Sequence, residues 1–478
     1  MFEYIPDSNL FDEYFLPTGQ VRAQNTLLHG FLKKLSLRDL REKENLSNNI
    51  FISNGVTFTV YSEKEGIEKI FPFDIIPRII TASEWYKIDE GIKQRIKALN
   101  CFLQDIYHEQ QILKDKIIPA KLIYSCPNFI REMIGVKLEH QNYITIAGVD
   151  LIRNSDGEFY VLEDNLRTPS GVSYMVENRE VSKRIYPDLI KSIKVLPVNS
   201  YSNVLYSILA SFSTRKSSKP TIVLLTPGIY NSAYYEHSFL ARFMGIELVE
   251  SKDLVVDNNI VYMKTTNGLK QVDVIYKRVD DEFLDPLVFR KDSILGIPGI
   301  FSAFKKGNVA LVNAIGNGVA DDKAIYPYVP EMIKYYLNET PKLKTIQTYN
   351  LEHDAEREHV FKNITNMVLK LTNGSGGYGM LMGNKSSEKE IEEYKIKVLE
   401  DPRNYIAQPI INLSSTPCLI NDCFQPRRVD LRPFVLNGLK DITIVPGGLT
   451  RVALKEGSLI VNSSQGGGSK DTWIIDTH

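Results

Sequence analysis

The chain has 478 residues, 43% hydrophobic and 24% charged, with a formal net charge of −1 from 57 basic and 58 acidic side chains. That length exceeds one ordinary hydrophobic core and points to about three structural units at roughly 150 residues each. The balanced charge gives no reason to expect nucleic acid as a partner, and no apolar run reaches the ~18 residues that a membrane span needs.

The opening, MFEYIPDSNLFDEYF, is acidic and aromatic, unlike a signal segment with its basic start and apolar core. A long helix is expected from about 82 to 113. Thr81 with Glu84 forms a capping-box pattern, and Trp85, Ile88, Ile92, Ile96, Leu99, Leu103 and Ile106 recur at three- and four-residue steps. Residues 143–165 read as two strands around NSDG, and STRKSSKP at 213–220 reads as a linker. Beyond it, TIVLLT, the helical SAYYEHSFLARFMG, ELVE, NIVYMK and VDVIYKR alternate as an α/β layer would. Helical stretches follow around 326–338 and 351–363. From about 366, strands return as NMVLKL, GMLMG, YIAQPI, RVDLRPFVL and DITIVPGGLTRVAL, separated by glycine-rich connections. Cysteines at 101, 126, 418 and 423 lack zinc spacing and read as reduced thiols of a cytoplasmic protein.

Chemistry gathers first at the hairpin. Asp156-Gly157 is a strong turn signal. A two-residue loop would pair Ser155 with Glu158 and set Asp150 opposite Glu163, with Asn165 on the same face. A four-residue loop would keep the three together, whereas a three-residue loop would not. Facing carboxylates repel. A divalent cation would relieve that repulsion, and two carboxylates with one amide oxygen suit Mg²⁺ held between protein and phosphates. The other reading leaves all three solvated on an open sheet face.

Chemistry gathers next at LKLTNGSGGYGMLMG, 369–383, a glycine cluster between two apolar segments. No Gly-Lys-Ser/Thr follows it and the next stretch is strand-like, so it is neither a Walker A loop nor a dinucleotide fingerprint. Unhindered backbone could still fold over phosphates, with Lys370 as the point charge; a hairpin tip without ligand is the alternative. NSSQGGGSKDTW at 462–473 is a second such cluster. Alternation puts Arg428, Asp430 and Arg432 on one face, and Arg451 lies in GGLTRVAL; Asp430 could serve only to neutralise structural arginines.

Taken together, an Asp followed by Glu-x-Asn and a lysine-preceded glycine flap resemble the ATP-grasp ligases. Here the metal-type strands precede the flap, the reverse of the usual order, which resembles the circularly permuted ATP-grasp proteins. More closely, EDNLRTPSGVSYMVENR, YKRVDDEFLDP, GNGVADDKAIYPYVP, GSGGYG, VDLRPFVLNG and NSSQGGGSKDTW look like the bacterial circularly permuted ATP-grasp type 2 proteins, relatives of glutathionylspermidine synthetase.

That resemblance implies an α/β (α+β) ATP-grasp fold with an inserted α/β preATP-grasp-like domain. It implies a mainly helical region over 1–140 packing on the core, a metal-binding segment over 141–200, the substrate-side domain over 201–315 and a nucleotide-binding segment over 316–478. It assigns Asp150, Glu163 and Asn165 to Mg²⁺, and Lys370 to the ATP phosphates. Gly374, Ser375, Gly376, Gly377, Tyr378 and Gly379 would form the flap, and Gln408 the adenine hinge. Arg432 would meet phosphate, Lys277 and Arg278 a γ-phosphate or substrate carboxylate, and Arg167 the substrate, with Arg451 nearby. The implied reaction is activation of a small-molecule or peptide carboxylate by ATP to an acylphosphate. An amine or thiol then attacks it, releasing ADP and phosphate. A kinase on the same fold, or a non-catalytic nucleotide-binding protein, are the competing readings.

Overall fold

The computed structural model describes residues 3–62, 65–215, 219–374, 379–458, 461 and 467–476. Ser375, Gly376, Gly377 and Tyr378 of the expected flap, 216–218 of the expected linker and 462–466 of the second glycine cluster lie outside them.

The long helix spans Ala82–Ile106. Thr81 Oγ1 accepts the Glu84 N–H at 3.3 Å and Glu84 Oε2 accepts the Thr81 N–H at 2.9 Å, closing the capping box. Its apolar stripe, Trp85 to Ile106, is buried against strand residues Ala147, Val149, Leu151 and Val161. Each such side chain contributes about 1.5–3 kcal/mol. The helix ends seven residues short of the expected 113, and Asp105 is the reason. Its carboxylate accepts the N–H groups of Gln111 and Ile112 at 2.7 and 2.8 Å, while Gln110 turns left-handed at φ 54°, so the chain restarts as a short turn, Gln111–Lys114.

Two sheets frame the site. One is five-stranded, ordered Lys344–Thr345, Phe159–Asn165, Ile146–Arg153, Phe434–Asn437, Ile442–Ile444. The other is four-stranded and antiparallel, ordered Tyr349–Asn350, Tyr405–Pro409, Met367–Leu371, Leu381–Met382. A third sheet is wholly parallel, ordered Ala310–Val312, Val274–Lys277, Ile222–Leu225, Glu247–Val249, and carries the helix Tyr234–Met244. Its two central strands, Ile222–Leu225 and Val274–Lys277, are buried throughout and apolar up to Lys277, as parallel strands covered on both faces must be. The N-terminal region joins the body through Phe73–Thr81, which runs parallel to the C-terminal strand Gly468–Ile475. The helical stretch expected over 326–338 is present as three consecutive helical turns, 3₁₀ at Tyr326–Tyr328, α at Val329–Met332 and π at Ile333–Leu337. Among the described residues no helix is long and apolar enough to cross a membrane.

Candidate active site

The hairpin reaches its expected outcome by an unexpected route. Arg153 pairs with Phe159 and Leu151 with Val161, a register that alone would put Asp150 and Glu163 on opposite faces. A bulge between Asp150 and Leu151 shifts the pairing by one residue, and Asp150 then stands directly opposite Glu163, with Gly148 opposite Asn165. Alternation also sorts the three polar residues at the strand's end. Asp164 points away from the other two and is clamped by Arg95 of the long helix, with Nη2 2.6 Å from Oδ2. Glu163 and Asn165 face the opposite side.

There Glu163 lines a cleft between the two framing sheets, together with Asp321, Lys323, Tyr326, Lys370 and Gln408. Lys370 comes from the four-stranded sheet, and its Nζ donates to Gln408 Oε1 at 2.8 Å. Gln408 Nε2 donates to Thr348 Oγ1 at 2.9 Å, so this buried amide links the lysine to Thr348. Burial, reinforced by Lys323, pulls the Lys370 ammonium down to about 8 against the pull of Glu163 and Asp150.

Lys323 is the residue that sequence reasoning missed. It sits in GNGVADDKAIYPYVP, a stretch that carried the family likeness without any residue in it being singled out. Its Nζ lies 3.1 Å from Glu163 Oε1 and donates to the Gly374 carbonyl at 2.6 Å, and its backbone N–H donates to Thr372 O at 3.1 Å. Burial would lower its pKa, but the Glu163 and Asp321 carboxylates outweigh that and hold it above its ordinary value. The base of the glycine loop is further tied down by Asn128 Nδ2 donating to Asn373 Oδ1 at 3.1 Å. Arg403 reaches the Thr372 hydroxyl at 3.4 Å and Asp322 Oδ2 at 2.8 Å, and the Cys126 thiol donates to that same oxygen at 3.1 Å.

Beside the cleft runs a buried chain of charge. Arg432 grips Asp150 through Nε–Oδ1 at 2.5 Å and Nη2–Oδ2 at 2.8 Å, and donates from Nη1 to Ser170 O at 3.1 Å. It passes over Gly148, where a Cβ would lie 3.2 Å from both Arg432 Cδ and Pro169 Cβ. Arg451 Nη2 donates to Asp150 Oδ2 at 2.7 Å, and Arg451 also pairs with Asp430. Burial opposes the Asp150 charge, yet the two guanidiniums hold its carboxyl well below the usual range. Asp430 therefore neutralises Arg451 rather than Arg428 and Arg432. The expected continuous strand ends at Arg428 and resumes at Phe434, so the alternation linking those residues is broken, and Arg428 feels Asp7 instead.

Arg278 belongs to the scaffold. It is 5% exposed, and it donates to Pro169 O, Tyr276 Oη and Ser170 Oγ at 2.8, 3.1 and 2.6 Å. Beneath it, Glu236 Oε2 accepts the N–H groups of Gly171 and Ser173 at 2.6 and 3.1 Å, capping the helix Val172–Ile185. Gly171 needs its φ of 116° and its missing side chain there, because a Cβ would lie 2.9 Å from Leu449 Cδ2. Lys277 is likewise enclosed, with Nζ 2.7 Å from Asp281 Oδ1. Arg167 is more open: its side chain is 30% exposed, with Nε 3.2 Å from Asp321 Oδ2 and Nη1 3.8 Å from Asp280.

Among the described residues no three His, Cys, Asp or Glu side chains cluster as a metal site by themselves. The mixed set Asp150, Glu163 and Asn165 does suit Mg²⁺, because all of its donors can be oxygen. Asp150 Oδ1 takes one arginine hydrogen bond and keeps a lone pair. Among the described residues the buried Asn165 Nδ2 has no hydrogen-bond partner.

Residues 77–453 match the circularly permuted ATP-grasp type 2 family. An uncharacterised protein of Synechocystis sp. is 50% identical over 467 residues, covering 98% of this chain and 97% of its own. A protein of Frankia alni provisionally named glutamate–cysteine ligase 2-3 is 37% identical over 465 residues, covering 97% of this chain but 54% of its own. Among solved structures, the apo form of a glutathione synthetase-like effector, GSS30 of Globodera pallida, superimposes with a TM-score of 0.61. That match covers 92% of this chain and 98% of the other at 12% identity, a likeness of fold. The Asp150–Glu163 hairpin, a cleft between two sheets and a family match over most of the length lead to one conclusion: the chain belongs to the circularly permuted ATP-grasp type 2 family.

Proposed function

We propose that this protein is an ATP-dependent ligase that joins a carboxylate to an amine, or to a thiol, through an acylphosphate. The observation that carries the reading is the convergence of Lys323 and Lys370, from separate segments, on one cleft beside Glu163. Two ammonium groups suit a polyphosphate, and the carboxylate–cation pairs seen here are those that a metal and phosphates would exchange between them. The family uses ATP and Mg²⁺ generally. Asp150, Glu163 and Asn165 would hold the ion, which when bound screens phosphate charge.

Lys323 and Lys370 receive the phosphate oxygens, with Gln408 aiming the second. Arg432, anchored on Asp150 and Ser170, stands at the reacting end, and Arg167 with Lys277 forms the basic part of the flanking Asp280, Asp281 and Asp321 cluster. A substrate carboxylate oxygen bonds to the γ-phosphorus as the bond to ADP breaks. The amine nitrogen then bonds to the acyl carbon, phosphate leaves with the C–O electrons, and the amine loses a proton. No protein nucleophile is needed, since positioning and charge neutralisation supply the catalysis. A loop closing over the phosphates would keep water from the acylphosphate. This chain matches about half of the Frankia protein, so glutamate and cysteine are not carried over as its substrates.

Purified protein with Mg²⁺-ATP and pooled amino acids, peptides and polyamines tests the reaction. Equal ADP and free phosphate, requiring both an acid and a nucleophile, with hydroxamate forming when hydroxylamine is added, is the expected result. A phosphorylated product without free phosphate would make the protein a kinase. Nucleotide binding without turnover under every condition would make it a sensor.

The lowered pKa of Lys370 adds a pH signature. Below about 8 the side chain is charged and ready for phosphate; above it, binding must first take up a proton. Nucleotide affinity should be flat below pH 7 and fall as pH rises through 8. Calorimetry at pH 8.5 in buffers of different ionisation enthalpy should register the proton uptake, and Lys370→Arg should abolish it.

A further inference from the structure

The long helix presents two functional faces. Arg95 is clamped on Asp164, while Lys93 and Lys97, two residues to either side, lie on the opposite face. That opposite face forms one wall of a second cleft, of about 350 Å³, completed by His140, Asn142, Asn437 and Lys440. Side-chain amides hold its walls. Asn142 Nδ2 donates to Asn437 O at 2.9 Å, and Asn437 Nδ2 to Ile144 O at 2.7 Å. Asn100 Oδ1 accepts the Tyr143 N–H at 2.8 Å, and its Nδ2 donates to Gln141 O at 3.0 Å. This is a cleft with fixed walls between a helix, a hairpin tip and the segment entering the central sheet.

Its charge is unbalanced. Lys93 is answered by Asp89 at 2.5 Å, but among the described residues Lys97 and Lys440 lie in no ion pair. The lining contains one acid, Asp441. Among the described residues the buried His140 Nε2 has no hydrogen-bond partner, and its ring lies edge-on to Phe212 at 5.5 Å. Cations in a concave site focus potential and concentrate anions. The size fits a small molecule, since ligand sites run about 300–1,000 Å³. A nucleic-acid surface would need an extended basic stripe, which a chain of net charge −1 gives no reason to expect.

We infer that this cleft binds a small polyanion, a phosphorylated or polycarboxylate molecule, at a site separate from the nucleotide cleft. The assignment is independent of the ligase reading, because none of these residues lines the site of Lys323 and Lys370. Its walls belong to the helix that clamps Asp164 and to Phe434–Asn437, the strand that pairs with the Asp150 strand. An occupied cleft therefore braces elements on both sides of the metal-type hairpin.

Calorimetric titration of the full chain with inorganic pyrophosphate in metal-free buffer tests it. The expected wild-type result is binding at two kinds of site. Lys97→Ala/Lys440→Ala, at exposed positions that leave the fold intact by circular dichroism, should weaken one of them roughly tenfold or more. Lys323→Ala/Lys370→Ala should remove the other and leave the first. The proposal is overturned if the first double variant binds as wild type does, if the second abolishes all binding, or if the wild type binds no pyrophosphate. A twelve-nucleotide single strand that binds more tightly than pyrophosphate, and is lost in Lys97→Ala/Lys440→Ala, would overturn the small-molecule assignment in favour of nucleic acid.

Discussion

Replacing Arg451 by Met should destabilise the protein by about 3–5 kcal/mol, the cost of breaking a buried ion pair from one side. Arg451 is 7% exposed and is shared by two carboxylates, Asp430 at 0% and Asp150 at 3%. Without it, among the described residues Asp430 keeps no ion pair and Asp150 keeps that with Arg432. Burial already pushes the Asp430 carboxyl up, so in the variant it should fold as the neutral acid. Asp430→Asn/Arg451→Met should recover part of the loss, because an amide at 430 folds neutral without the proton that the carboxyl must take up at pH 7. The pH dependence has a definite sign. Asp150 has a depressed folded pKa, so its contribution is present above the unfolded value of about 3.9 and is lost as pH falls below it. The gap between wild type and Arg451→Met should therefore narrow in acid. Urea midpoints followed by circular dichroism at pH 7 and at about pH 3, below the unfolded carboxylate value, would show it. A gap below about 1 kcal/mol at pH 7 would mean that solvent screens the pair as it does a surface one.

Local rules read well from this sequence where one neighbour decides the outcome. Thr81 and Glu84 set the start of the long helix, and its apolar stripe set the buried face, because both depend on spacing along one element. Its end was not legible: Asp105 looks like one more polar residue until its carboxylate is seen capping Gln111 and Ile112. The hairpin shows the same boundary more sharply. Turn chemistry located the loop, and repulsion between carboxylates suggested a ligand, but the bulge at Asp150 that aligns them leaves no compositional trace. Lys323 was hidden for another reason. Its partners Glu163 and Gly374 lie 160 residues before it and 51 after it, so only the fold brings them together. Arg278 shows the same limit. A basic side chain in a family-like motif invites a ligand, and only the fold shows its hydrogen bonds to Pro169 O and Ser170 Oγ holding the Pro169–Gly171 turn.

Lys323→Ala should weaken ATP binding by about 1.5–3 kcal/mol, the scale of a charge-assisted hydrogen bond, and Lys370→Ala should do the same. The two losses differ in kind. Lys370 stands on a strand and touches Gln408, so removing it subtracts one charge and strands one buried amide oxygen. Lys323 spans three elements: the Glu163 strand, its own loop and the Gly374 carbonyl at the base of the glycine loop. Its loss should also release that base, so amide exchange over Thr372–Gly374 should rise in Lys323→Ala and stay unchanged in Lys370→Ala. Lys323→Arg restores the charge but not the compact ammonium that reaches a carboxylate and a carbonyl at once, and should recover affinity only in part. Both lysines would address one triphosphate, so the double variant should lose less than the sum of the singles. Calorimetry with a non-hydrolysable ATP analogue measures the affinities, and hydrogen exchange measures the loop. Wild-type affinity in Lys323→Ala, with the fold intact, would remove this lysine from the phosphate site and leave it as a latch on the glycine loop.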